Sequence, residues 1–169
     1  MLNPIRILLV DDNPHFLEAA RVFLHVHEAR AVVETATNAE EAIEKSRHLE
    51  FDVILLDLNL DDRFGLDLIP HFREHLPHVK IIVLSIMSGA AYRAASLQAG
   101  ADAFVDKITM NRTLVPTILQ QMDRPAGEQK NQAALEQSAA ELPQDQKAGQ
   151  APAAPSEQPE IEDDKEPNQ

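Results

Sequence analysis

The sequence has no cysteine, which removes disulfide frameworks, thiolate nucleophiles and Cys-ligated zinc or iron–sulfur centres from consideration. Cations are scarce as well: 15 Lys and Arg stand against 28 Asp and Glu, for a formal net charge of −13. The basic residues form no visible cluster, so the electrostatic footprint of a nucleic-acid-binding face is missing. Long apolar runs are missing too. The N-terminal MLNPIRILLV meets Asp11 and Asp12 too soon for a signal peptide or a membrane span, and the expectation is a cytoplasmic protein with no membrane attachment. No internal repeat occurs at solenoid spacing. At 169 residues the chain suits one domain with an appended segment, since ~150 residues per domain is the usual allowance.

What is present is a set of buried-strand patterns that stop abruptly in polar residues. Val53–Leu56 is an unbroken apolar run ending in Asp57, and IRILLV at Ile5–Val10 ends in Asp11 and Asp12. Such continuous runs read as strands covered on both faces. Between them, Asn13-Pro14 signals a helix start, and a helix over Pro14–Glu28 carries an apolar stripe of Phe16, Leu17, Ala20, Val22, Phe23 and Leu24. Ala31–Ala36 alternates more, as an edge strand does. Thr37 or Asn38 caps a second helix whose inward residues are Ala39, Ala42, Ile43 and Leu49. After Asp52–Leu56 and a loop to Gly65, the pattern predicts a helix over Leu66–His75, a strand over Val79–Leu84, a helix over Ser88–Ala99 and a strand over Asp102–Asp106. A last helix lies within Asn111–Met122, where Pro116 implies either a late start near Thr113 or a bend.

Five strands alternating with five helices specify an α/β fold with a parallel sheet. Right-handed crossovers restrict it to a doubly wound, flavodoxin-like arrangement with strand order 2-1-3-4-5. Strands one and three then lie side by side, and their acids meet at the carboxyl edge, where open α/β sheets bind ligands. From residue 125 the composition changes: 125–169 is rich in Ala, Gln, Pro and Glu, has no aromatic residue, and carries three Lys against ten Asp and Glu. It cannot bury enough apolar surface to offset its ordering entropy, and is expected to be a disordered acidic tail.

Asp11, Asp12, Asp57, Ser85 and Lys107 all follow buried strands directly. A lone strand-end Asp more often caps a helix or sits solvated in a loop. Three crowded carboxylates, however, repel one another and raise one another's pKa unless a cation neutralises them. Lys107 supplies one positive charge, and an all-oxygen donor set suits Mg²⁺ as another. A metal, an ammonium and a hydroxyl around an open carboxylate can support phosphoryl chemistry, with Asp57 as the nucleophile.

The segments LLVDDNP, ILLDLNLDDRFG, IIVLS and LQAGADAFVDK, with their spacing, resemble the receiver domain of two-component response regulators over residues 4–124. The resemblance implies a domain at 1–124 in which Asp57 accepts phosphate from a sensor histidine kinase or a phosphotransfer protein. Asp11, Asp12, Asp57 and the backbone carbonyl of Asn59 would hold Mg²⁺, and Ser85 and Lys107 would contact the phosphoryl group. Phe104 would reorient with Ser85, coupling phosphorylation to a downstream protein partner. GLDLIPHF…LPHVKIIVLS is closest to receivers that usually precede a helix-turn-helix output domain, whereas here the acidic tail follows. The implied protein is therefore a stand-alone phospho-switch, with no direct contact to nucleic acid, a capacity for phosphorylation-dependent dimerisation, and only self-catalysed phosphoryl transfer rather than metabolic enzyme activity. Asp61 and Ile108 stand where many receivers have Pro, and Ile86 is bulkier than the common Ala.

Two rival readings come from other classes. A phosphorylation-independent scaffold would use the same fold constitutively. A phosphatase with an aspartyl nucleophile would need a second acid two residues after Asp57, where Asn59 stands. His71, His75 and His78 could supply part of a zinc site, but lack an evident further ligand.

Overall fold

A computed structural model describes residues 3–61 and 63–124; the segment expected to be a disordered tail, 125–169, lies outside the described residues. The strands are β1 (Ile5–Val10), β2 (Ala31–Ala36), β3 (Val53–Leu56), β4 (Lys80–Ser85) and β5 (Ala103–Asp106), and the helices are α1 (Pro14–His27), α2 (Ala39–His48), α3 (Leu68–His75), α4 (Ala90–Ala99) and α5 (Met110–Met122). All strand pairs are parallel, in the order β2-β1-β3-β4-β5, which is the expected doubly wound sheet.

Alternation along the strands divides the core in two. Leu8, Val10, Ile54, Leu56, Ile81 and Val83 pack against Ala39 and Ala42 of α2 and Leu68, Ile69 and Phe72 of α3. On the opposite face Ile7, Leu9, Val53, Leu55, Ile82 and Leu84 pack against Leu17, Ala20 and Leu24 of α1 and Leu114 and Ile118 of α5. The central strands are buried throughout, because helices cover both faces. No helix among the described residues is long and apolar enough to cross a membrane.

The helix starts follow local chemistry. The Asn13 side chain accepts the His15 and Phe16 N–H groups and Pro14 occupies the first turn of α1. For α2, Asn38 rather than Thr37 is the cap, accepting from Glu41 N–H at 2.9 Å. Two apolar side chains expected inside are outside: Val22 and Leu49 are 50 % and 43 % exposed. The stripe of α1 runs through Leu17, Ala20 and Leu24, and a position five residues after Leu17 is turned well off that face. Leu49 is the extended C-cap residue of α2, so its side chain has left the helical face.

Helix α3 starts at Leu68 rather than Leu66, after a 3-10 turn at Gly65–Asp67, which puts Pro70 in the first turn, where a missing N–H costs nothing. Helix α4 starts two residues later than expected and has no side-chain cap. Helix α5 begins at Met110 and continues through Pro116, so the late start near Thr113 is not used. Leu114 and Ile118 anchor it on both sides of the proline, and tertiary packing of this kind outweighs local propensity.

Candidate functional site

Register builds the site. Val10 pairs with Leu56, so Asp11 and Asp57 leave adjacent strands at the same level, Asp57 N–H donating to the Val10 carbonyl at 3.0 Å. Ser85 pairs with Asp106 across β4 and β5, and Lys107 N–H donates to the Ser85 carbonyl. The four strand ends therefore deliver Asp11, Asp12, Asp57, Ser85 and Lys107 to one edge. One carboxylate oxygen from each of Asp11, Asp12 and Asp57 lies within 4.8 Å of the others.

Lys107 reaches back across this cluster. Its Nζ lies 2.5 Å from Asp11 Oδ2 and 2.9 Å from Asp57 Oδ2. Asp11 and Asp57 are buried, whereas Asp12 is half-buried. Burial pushes the Asp11 carboxyl above its ordinary range, against the hydrogen bonds from Lys107 and Asn13 that pull it down. Asp12 is likewise raised, first by burial and then by the neighbouring Asp61 carboxylate in the loop after β3. For both acids burial is the larger cause, ahead of the charge of the neighbouring carboxylates. The donor set is entirely carboxylate oxygen, and such hard donors fit a hard divalent cation.

Ser85 is fully buried and its Oγ accepts Met87 N–H at 3.2 Å, which leaves the hydroxyl proton able to be donated. Asn59 is exposed and bridges to Phe64 in the loop after Asp57. That loop folds back so closely at Gly65 that a Cβ there would collide with the Asp57 carbonyl oxygen. Gly65 N–H donates to the Leu58 carbonyl at 2.7 Å, and Leu58 N–H donates to Asp57 Oδ1 at 2.8 Å. Asp57 is therefore fixed from its own backbone outward.

Phe104 is buried, and the Arg93 guanidinium of α4 stands over its ring at 4.9 Å while donating to its carbonyl. Ile86 and Ile108 flank the site with 65 % and 77 % exposure. Ile108 N–H donates to Asp106 Oδ1 at 2.8 Å, a bond a proline there could not make. The histidines do not join the cluster. His71 and His75 lie with ring centroids 4.4 Å apart, and burial together with the neighbouring His75 lowers the His71 pKa. Among the described residues, only the three aspartates form a group of three or more such ligands close enough to share a metal ion.

The sequence pattern places none of Arg93, Asp61 and Gly65 at the site, and marks Phe16 only as part of the apolar stripe of α1. The acid run at Asp61 and the strand-to-loop position of Gly65 were the available signals; Phe16 and Arg93 gave none short of packing.

The family model for the response regulator receiver domain matches residues 7–119. The transcriptional regulatory protein MctR of Rhizobium johnstonii is 30% identical over 114 residues, a match covering 68% of this chain and 53% of that protein. The chain thus spans about half the length of the curated relatives it matches. Among solved structures, a CheY-like response regulator receiver domain protein from Methanospirillum hungatei is 30% identical with a TM-score of 0.66, covering 72% of this chain and 95% of that one. The response regulator TrrA from Thermotoga maritima, solved in complex with Mg²⁺ and BeF, is 30% identical with a TM-score of 0.61, covering 69% of this chain and 98% of that one.

Proposed function

The chain belongs to the response regulator receiver domain family, and on that premise we propose that it is a phospho-switch in which Asp57 takes a phosphoryl group from a sensor histidine kinase or a phosphotransfer protein. The observation that carries this reading is the meeting of Asp11, Asp12 and Asp57 within 4.8 Å of one another, with Lys107 paired to two of them. An Asp57 carboxylate oxygen attacks phosphorus, the bond from phosphorus to the donor's nitrogen or oxygen breaks, and the donor leaves with that bond's electron pair. Lys107 and the Ser85 hydroxyl are placed to neutralise and bond the phosphoryl oxygens. Asp11, Asp12, Asp57 and the Asn59 carbonyl would hold Mg²⁺, which supplies charge neutralisation at those oxygens when bound. The chain's chemistry is confined to gaining and losing this group.

The output is a change in binding to a protein partner. Ser85 ends β4, Phe104 pairs with Val83 two residues before it on the adjacent β5, and Phe104 lies under Arg93 of α4. A phosphoryl group that draws the Ser85 hydroxyl biases the packing at this face. The test is incorporation of phosphate from acetyl phosphate, with and without Mg²⁺, into the full chain and into Asp57→Asn. Mg²⁺-dependent label in the wild type and none in the variant is expected. Absence of label from a folded wild type that binds Mg²⁺ would leave the phosphorylation-independent scaffold as the reading.

A further inference from the structure

Lys107 has a third neighbour besides the two acids. Its Nζ stands over the ring of Phe16, 4.4 Å from the centroid, and the side chain is only 12 % exposed. An ammonium over an aromatic face is attracted by the ring quadrupole, most strongly where water is excluded. We propose that Phe16 is a positioning residue for Lys107, holding the ammonium over Asp57 while the acids that also bind it change partners. The inference rests on the functional reading above.

The ring is placed by the site itself. Asp11 Oδ1 accepts Asn13 N–H at 3.0 Å while Asp11 Oδ2 binds Lys107. The Asn13 side chain in turn accepts Phe16 N–H at 3.2 Å in the first turn of α1, and Phe16 packs on the core face that contains Leu17 and Leu114. Acid, helix cap and ring form one short connected unit.

The need for such a contact follows from the reaction. A divalent cation on Asp11 competes with Lys107 for that carboxylate, and phosphorylation converts the Asp57 oxygen into an ester. Both partners of the ammonium are altered in the cycle. The Phe16 ring takes no part in either change and remains where the core and the Asn13 cap hold it. A lysine with four rotatable side-chain bonds otherwise loses considerable freedom each time it is brought to the phosphoryl group.

The test compares Phe16→Leu, which keeps apolar bulk and removes the ring, with Phe16→Tyr, which keeps the ring. Two readouts are taken on the full chain: the NMR shift of the Lys107 ε-methylene protons without donor or Mg²⁺, and the initial rate of Asp57 labelling by acetyl phosphate with Mg²⁺. The wild type and Phe16→Tyr should show an upfield ring-current shift, lost in Phe16→Leu. Labelling should fall about three- to tenfold in Phe16→Leu, the span expected of a partly desolvated cation–π contact, and return in Phe16→Tyr. Should Phe16→Leu fail to fold, Phe16→Met takes its place. Wild-type labelling by the folded Leu or Met variant overturns the proposal while leaving the phospho-switch standing, as does a Tyr variant as slow as the Leu one. No label in the wild type itself overturns the phospho-switch, and the positioning role with it.

Discussion

Aspartates stand at both ends of the same sheet, and the two ends treat them differently. At the amino edge, Asp52 accepts Arg6 N–H at 2.8 Å. Asp102, its side chain buried, accepts Ile81 N–H at 2.7 Å and forms an ion pair with Arg73. Arg73 also donates to the carbonyls of Gly100 and Val79, so one side chain ties α3 to the starts of β4 and β5. At the carboxyl edge, three acids crowd within 4.8 Å, and one lysine pairs with two of them, Asp11 and Asp57. The amino edge uses its acids to hold strands together, while the carboxyl edge gathers its acids around one lysine at a place where burial disfavours the charged form of Asp11 and Asp12. Carboxylates held together in a buried place, with burial opposing their charge, are the arrangement that a bound cation would stabilise.

The comparison breaks most visibly at Arg73. Replacing it by Met removes an ion pair from the buried Asp102 carboxylate and one donor from each of two carbonyls. The expected cost is about 3 kcal/mol, a fall in unfolding midpoint on the order of 10 °C. A loss of under about 1 kcal/mol in denaturant titration would mean that the clasp is no stronger than a surface pair.

Removing an acid at the other edge should have the opposite sign. The raised Asp11 pKa means that the fold disfavours its charged form, so its contribution to stability is complete below the usual value of 3.8 and is lost as pH rises through the raised value. Asp11→Asn should therefore raise the midpoint at pH 7 by about 2–5 °C, and the two proteins should converge below about 3.8. Glu41 runs the other way. Burial alone would raise it, but hydrogen bonds from Thr37 and Lys45 outweigh that and hold it below its usual 4.5, so its stabilisation is present above that value and fades as pH falls. A midpoint lowered by Asp11→Asn at pH 7 would show that the Lys107 bond, not the penalty of burial, dominates.

Much of this was legible before any coordinates. The continuous apolar strands, their alternation with amphipathic helices and the abrupt acids after β1 and β3 are enough to put Asp11, Asp12 and Asp57 together, because a parallel doubly wound sheet allows few other arrangements. Lys107 and Ser85 were found by the same rule. The pairing of Arg73 with Asp102, the ring of Phe16 over Lys107 and the guanidinium of Arg93 over Phe104 were not, since each joins residues far apart in the chain through side-chain direction rather than spacing. Val22 and Leu49 misled for a related reason: hydrophobicity marks a residue as able to be buried, but the helical phase and the end of the helix decide whether it is. Pro116 reads as a break locally, yet the core contacts on both sides of it carry α5 through.

The cation site proposed at the carboxyl edge is tested most directly by titrating MgCl₂ into the full chain while following the thermal unfolding midpoint of the wild type and of Asp12→Asn. A cation that binds only the folded cluster should raise the wild-type midpoint saturably, by about 5 °C at roughly 10 mM, and should do markedly less for Asp12→Asn. An equal rise in both proteins, or none in the wild type, would contradict the assignment of the three aspartates as a cation site.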